Sequence, residues 1–353
     1  MIRVGLVGIG FMGWTHWQAY RAAAGIRVGA ICSREQGRLA GDWRGIQGNF
    51  GPPGEVVDVS GLGKYERLEA LLKDPSIDLI DVCLPPHLHA EVTIQALSAG
   101  KHVFCEKPMA LTAAECGRML EAARRSGRQL FVGHVLPFFP EYAHARQLVA
   151  EGRHGKLLGG SFRRIISDPT WLKDFYDPAK VGGPLLDLHV HDAHFIRLLF
   201  GMPAAVSSRG RLRGEVVEYV QTAFHYPATS QVVSADGGVI RQQGRAFTHG
   251  FEIHLEKATL QYEFAVFEGK PRLIQPLTIC DGEGRVLQPA LGDGDPLRAF
   301  EGELAEIVRS LDSGRPSPLL SGELARDAIL ICQKETESVL SGRPGLFQDQ
   351  AAP

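Results

Sequence analysis

The apolar run Ile2–Val7 passes directly into Gly8-Ile9-Gly10-Phe11-Met12-Gly13, and an Ala-containing stretch then runs to Ala24 and stops at Gly25. A strand, a G-x-G-x-x-G turn and a helix in immediate succession admit few folds. The first Gly makes the tight turn, the second lets a backbone approach a pyrophosphate, and the third lets the helix pack against the strand. The helix N-terminus then faces the phosphates. The pattern predicts a strand over 2–7, a helix over 11–24 and a dinucleotide site at their junction.

The next hundred residues repeat the alternation. Strands are predicted at 27–32, 78–84, 102–105 and 129–133. Helices are predicted at 64–73, 90–99 and 112–126, the last opened by the capping box Thr112-Ala113-Ala114-Glu115. Strand–helix alternation of this length argues a doubly wound parallel sheet, with ligands at the carboxyl ends of the strands. Gly8–Gly13, Cys32–Arg34, Leu84–Pro86 and Glu106–Pro108 fall at those ends. The second strand ends in Cys32-Ser33-Arg34, with no acid before Glu35. A hydroxyl and a guanidinium suit a 2′-phosphate better than a bare ribose, so the expected cofactor is NADP, with NAD as the alternative. Residues 41–63, rich in Gly and Pro, are predicted to form a long surface loop with a short strand at 56–59.

Beyond Gly133 the pattern changes, and the domains are drawn at 1–132 and 133–353. A helix over 140–151 and a strand over 156–167 lead into an aromatic loop, 168–177. From 204 to 280, β-rich segments follow without helices, which argues a mostly antiparallel sheet. Two helices, 295–311 and 321–340, close the chain. The fold class is therefore α/β: a Rossmann domain followed by an α+β domain with a large sheet.

Residues 187–194 hold three His and two Asp. Read as one helix from the Gly182-Gly183-Pro184 break to Gly201, this segment places Asp187, His191 and His194 on one stripe. A carboxylate one turn before an imidazole orients it and favours its protonated form, giving an acid–base unit. A metal site from His189, His191, Asp192 and His194 is disfavoured, because His189 points nearly opposite His191. No metal is expected.

Composition excludes other classes. Lys and Arg number 38 against 40 Asp and Glu, a net charge of −2, so no basic field for nucleic acid exists. The six Cys show no Cys-x-x-Cys spacing, and Cys32, Cys83 and Cys105 sit in or beside strands, as in a reducing compartment. With no signal peptide and no apolar run of about 18 residues, a cytoplasmic protein is expected.

Together these residues resemble the Gfo/Idh/MocA oxidoreductases (glucose–fructose oxidoreductase, inositol dehydrogenase and relatives). The resemblance rests on Gly8, Gly10 and Gly13, on Ala99-Gly100-Lys101-His102-Val103-Phe104-Cys105-Glu106-Lys107-Pro108, and on Gly182-Gly183 followed by Asp187-x-x-x-His191. It implies hydride transfer between NAD or NADP and a sugar, cyclitol or related polyol. Lys107 and His191 would flank the reacting carbon, with Asp187 in support. The candidate cofactor contacts are Gly8, Gly10, Phe11, Met12, Gly13, Ser33, Arg34, Leu84, Pro85, His89, Glu106 and Lys107. The family commonly carries Asp where this chain has His194, and Arg or Asn in the segment after Gly133, where it has His134. His134, Trp171 and His194 are the candidate substrate contacts. The resemblance also leaves open a sugar-cleaving enzyme that oxidises transiently, or a non-catalytic dinucleotide sensor. A homodimer or homotetramer through the C-terminal sheet is expected, from apolar positions such as those of 251–255 beyond what one covered face needs.

Overall fold

The computed structural model describes residues 1–48, 50–292 and 294–347, so Asn49 of the predicted loop and the last six residues of the predicted second domain lie outside the description. The chain folds as two compact units, Met1–Phe139 with Asp293–Arg326, and Pro140–Gly292 with Asp327–Pro353.

In the first unit the elements are β1 (Ile2–Val7), α1 (Phe11–Ala22), β2 (Ile26–Cys32), α2 (Gln36–Leu39), β3 (Gly63–Tyr65), α3 (Leu68–Leu72), β4 (Leu79–Val82), α4 (His89–Ser98), β5 (His102–Glu106), α5 (Ala113–Ser126) and β6 (Leu130–Gly133). The strands form one parallel sheet ordered β3-β2-β1-β4-β5-β6. Val4, Leu6, Ile31, Leu79, Ile80 and Val103 are wholly buried, as expected of strands covered on both faces. The order reverses between β1 and β4, which opens the ligand crevice beside Gly8. The Thr112 capping box forms as expected.

Two expectations for this unit need correction. Residues 64–73 are not one helix: Gly63–Tyr65 extends the sheet, and only Leu68–Leu72 is helical. The 41–63 segment is a largely exposed loop as expected, but the short strand at 56–59 reduces to a single Asp42–Val56 bridge, and a few buried side chains pin the loop down. Trp43 is fully buried, with Trp17 and Trp14 edge-on at 5.0 and 5.9 Å. The Trp43 indole N–H donates to the Arg38 carbonyl and the Trp14 N–H to Pro52 O, both at 2.9 Å. Tryptophan burial and two indole bonds offset the ordering cost of so Gly-rich a stretch. The simple division at 132/133 also fails, because a later helix, Leu297–Ser313, belongs to the first unit. Its buried Phe300, Leu304 and Ile307 share one core with Trp14, Tyr20 and Phe104.

The second unit begins with α6 (Pro140–Glu151) and β7 (Leu157–Ser167), followed by a π turn (Leu185–His189) and α7 (Val190–Phe200). Its further strands are β8 (Ala205–Arg213), β9 (Val216–His225), β10 (Val232–Ile240), β11 (Arg245–Leu255), β12 (Ala258–Phe267), β13 (Lys270–Asp281), β14 (Val286–Leu287) and β15 (Gly345–Leu346). The remaining helices of the chain are α8, the Leu297–Ser313 helix, and α9 (Gly322–Ser341). The strands form one sheet ordered β14-β13-β12-β11-β7-β10-β9-β8-β15, antiparallel except at β7–β10. Phe162, Phe195, Tyr142 and Phe251 build the core behind it in edge-on contacts of 4.9–6.1 Å. On β11, Phe251, Ile253 and Leu255 are buried while His254 between them is exposed. That alternation serves one covered face, so the 251–255 argument for an apolar surplus does not hold.

Candidate active site

In the first unit the candidate cofactor site grows from three glycines. Gly8 has φ +93°, and a Cβ there would lie 2.6 Å from the Cys83 carbonyl oxygen. A Cβ at Gly13 would lie 2.2 Å from the Gly8 oxygen. At Gly10 a Cβ would meet nothing within 4 Å. The outer two glycines thus serve the protein's own packing, and the middle one faces open space where a phosphate fits. Gly10 precedes α1, whose first turn carries Phe11, Met12 and Gly13 and no acid to compete with an anion. Phe11 is held from outside by Phe50, edge-on at 5.0 Å. The residues present therefore fit a dinucleotide.

At the end of β2, the Ser33 hydroxyl oxygen accepts the Glu35 N–H at 3.1 Å and Arg34 is exposed. The Glu35 carboxylate lies 3.5 Å from the Arg38 guanidinium. Leu84 and Pro85 follow β4, and Glu106 ends β5 next to a half-buried Lys107.

Two of the predicted cofactor contacts face inward instead. His89 is buried, its Nδ1 2.8 Å from Pro108 O and its Nε2 2.7 Å from Leu84 O. It ties the turn after β4 to the turn after β5, and burial pushes its pKa down. Glu106 is also buried: Oε1 lies 3.0 Å from His16 Nε2, and Oε2 accepts the Lys107 backbone N–H at 3.0 Å. Both residues shape the crevice from behind, because their polar atoms are already engaged.

In the second unit the predicted helix opens with a π turn rather than an α turn. The i→i+5 bonding winds less per residue, which brings Asp187 and His191 nearly into line. His194 then falls about 60° round from His191. Asp187 and His191 are half-buried, whereas His194 is wholly buried. His134 is wholly buried too, so neither His134 nor His194 presents itself as a substrate contact. Trp171 is 61% exposed, on a loop anchored at its base. There the Asp168 carboxylate accepts from Arg213 at 2.7 Å and from the Tyr176 hydroxyl at 2.9 Å.

Two members of the disfavoured metal set, His189 and Asp192, are engaged by other side chains. His189 Nε2 lies 2.9 Å from Glu335 Oε1, both fully buried, and Asp192 accepts two bonds from the buried Arg164 at 2.8 and 3.2 Å. These pairs fix α7 to the sheet and to α9. A further buried pair, Tyr142 with His249 Nδ1 at 3.0 Å, lies in the same layer. Sequence reading missed all of them; on β7 the buried Arg164 sits next to an exposed Arg163, so charge alone did not single it out.

Family models fit both halves. Residues 2–134 match the oxidoreductase-family NAD-binding Rossmann fold of GFO/IDH/MocA, and residues 142–261 match the GFO/IDH/MocA C-terminal domain. The chain belongs to the GFO/IDH/MocA oxidoreductase family. It is 31% identical over 273 residues to a 1,5-anhydro-D-fructose reductase of Ensifer adhaerens, covering 75% of this chain and 78% of the relative. It is 27% identical over 288 residues to inositol 2-dehydrogenase 2 of Saccharopolyspora erythraea, covering 76% and 78%. A levoglucosan dehydrogenase, solved in complex with NADH and levoglucosan, has the same fold: TM-score 0.79 at 24% identity, over 99% of this chain and all of that one. The chain is thus an oxidoreductase with a nicotinamide-dinucleotide Rossmann domain. Among the described residues no helix is long and apolar enough to cross a membrane.

Proposed function

We propose that the protein interconverts a hydroxyl and a carbonyl on a sugar or cyclitol, with NADP preferred over NAD, through Lys107, Asp187 and His191. The observation that carries the residue assignment is the exposure pattern of 187–194. His189, Asp192 and His194 are buried, two of them in ion pairs, while Asp187 and His191 stay half-open on one line. A carboxylate behind an imidazole orients it for proton transfer. In oxidation His191 takes the hydroxyl proton, Asp187 holds its ring, and the Lys107 ammonium stabilises the developing alkoxide. The nicotinamide ring, when bound, accepts or returns the hydride. The sugar or cyclitol class rests on the names of the relatives.

Cofactor preference rests on the exposed Arg34 guanidinium beside Ser33, with the nearest acid, Glu35, drawn to Arg38. We place the protein in the cytoplasm on its six free cysteines. We also propose self-association through the second sheet, whose outer positions include the exposed Leu158, Val232, Leu273 and Ile274. The residue assignment is tested by kinetics. His191→Ala and Lys107→Ala are each expected to lower kcat by ~10²–10⁴-fold with cofactor affinity little changed. Full activity in both variants would overturn it.

A further inference from the structure

Behind the glycine turn, the Rossmann unit buries three carboxyl groups around one imidazole. Asp81 of β4, Glu106 of β5 and Glu303 of α8 are at most 3% exposed, and His16 of α1 is 1% exposed. His16 Nδ1 lies 2.9 Å from Asp81 Oδ2, and its Nε2 lies 3.0 Å from Glu106 Oε1. A neutral imidazole has one N–H and would meet one of these oxygens lone pair to lone pair, whereas an imidazolium donates to both. The ring is stacked on Phe104 at 5.0 Å. Asp81 also accepts the Tyr20 hydroxyl at 2.9 Å and the Cys83 thiol at 3.4 Å.

The remaining groups agree with a charged His16. Burial alone would push its pKa down, but Asp81 and Cys83 outweigh burial and hold it well above the usual value. Among the described residues, Glu303 has no hydrogen-bond partner at either carboxyl oxygen. Burial, with Glu106 close by, holds it well above the ordinary range, as a neutral acid. The raised His16 and Glu303 values both favour the protonated forms of those two groups.

This arrangement reaches Lys107. Glu106 Oε1 is engaged by His16, and its Oε2 accepts the Lys107 N–H. The carboxylate fits because residue 133 is Gly, where a Cβ would stand 2.8 Å from Oε1. We propose that His16, clamped between Asp81 and Glu106, is a positioning residue that fixes Lys107 through the Glu106 carboxylate. The proposal rests on the reading of Lys107 as an acting residue. His16 itself touches no substrate. When it loses its proton at alkaline pH, one of its two bonds is lost and Lys107 is released from its fixed geometry. The titratable groups around it are Tyr20, Asp81, Cys83, Glu106 and Glu303.

The test is steady-state kinetics of the full chain across pH, with a sugar or cyclitol it turns over and its nicotinamide cofactor. His16→Asn is expected to lower kcat by about 10²-fold, as a small misplacement of a reacting group does, with cofactor KM little changed. It should also abolish a fall of kcat at alkaline pH. Glu106→Gln is the conservative rescue. Its amide oxygen still accepts the Lys107 N–H and its NH₂ donates to a neutral His16, so kcat is largely kept while the alkaline fall disappears. A folded His16→Asn enzyme with unchanged kcat and pH profile would overturn the proposal. If His16→Asn does not fold, nitrogen NMR of the unmutated protein decides: both His16 ring nitrogens protonated at neutral pH supports the proposal, and a single neutral tautomer defeats it. Lys107→Ala separates the two readings. An inactive Lys107→Ala beside a fully active His16→Asn defeats the positioning alone, whereas a fully active Lys107→Ala defeats the reading of Lys107.

Discussion

His189→Ala separates the chemistry of the His-rich segment from its anchoring. His189 lies two residues before His191 yet faces the other way, onto Glu335 at 2.9 Å with both side chains fully buried. Burial lowers the His189 pKa, but Glu335 more than restores it, so the pair holds a charged imidazole. Removing the ring leaves Glu335 in the core, where its second oxygen already lacks a hydrogen-bond partner among the described residues. Breaking a buried pair from one side costs ~3–5 kcal/mol. In a unit of 150–250 residues each kcal/mol moves Tm by ~2–4 °C, so the expected loss is roughly 6–20 °C. Replacing both partners by Leu should recover most of it, because no charge is left stranded. The assay is thermal and urea unfolding of the three proteins, with kcat of the folded enzyme measured in parallel. That kcat should change little. A stability loss below about 1 kcal/mol, the scale of an exposed pair, would refute the burial argument.

Gly10→Ala should keep the fold and Tm but weaken cofactor binding, because its Cβ would meet nothing within 4 Å among the described residues. Gly13→Ala should fail on stability, as its Cβ would collide with the Gly8 carbonyl; calorimetry and melting curves separate the two. Arg34→Ala should weaken NADP binding by about ten- to hundredfold, the worth of a charge-assisted bond, and leave NAD nearly unchanged. Titration calorimetry that finds tighter NAD than NADP binding in the unmutated protein would contradict the cofactor preference. His16 and Glu303 both hold raised pKa values when folded. The His16 contribution is in place below its unfolded pKa of about 6.5, that of Glu303 below about 4.3, and each wanes as pH rises through the folded value. The first unit should therefore melt lower at about pH 9 than at about pH 6, as melting curves in matched buffers would show.

The strand–turn–helix at 2–22, the parallel character of the first sheet and the capping box at Thr112 were legible because local pattern and tertiary role agree there. The His-rich segment was legible only in part. Its spacing assumes α winding, and the π turn over Leu185–His189 shifts Asp187 toward His191 and away from His194, which is buried. No periodicity reveals such a turn. The 41–63 segment was legible as a surface loop, but not its anchoring, because Gly and Pro content speaks of turns and not of burial. Trp43 was the sign that the stretch packs. The partners of buried charges lie far apart in sequence, His16 with Asp81 and His189 with Glu335, so their pairing was out of reach. A lone Asp81 inside Leu79–Val82 nonetheless marks a buried acid that needs a partner.

The central claim is that this chain moves a hydride between a nicotinamide cofactor and a sugar-like hydroxyl or carbonyl, with Lys107 and His191 acting. It is tested most directly by following nicotinamide absorbance with NADP and NAD, in both directions, across a panel of sugars, cyclitols and keto-sugars, with Lys107→Ala and His191→Ala alongside. The expected result is cofactor turnover with at least one member of the panel, faster with NADP and lost by ~10²–10⁴-fold in both variants. Tight dinucleotide binding without turnover of any panel member, or turnover that survives both substitutions, would contradict it.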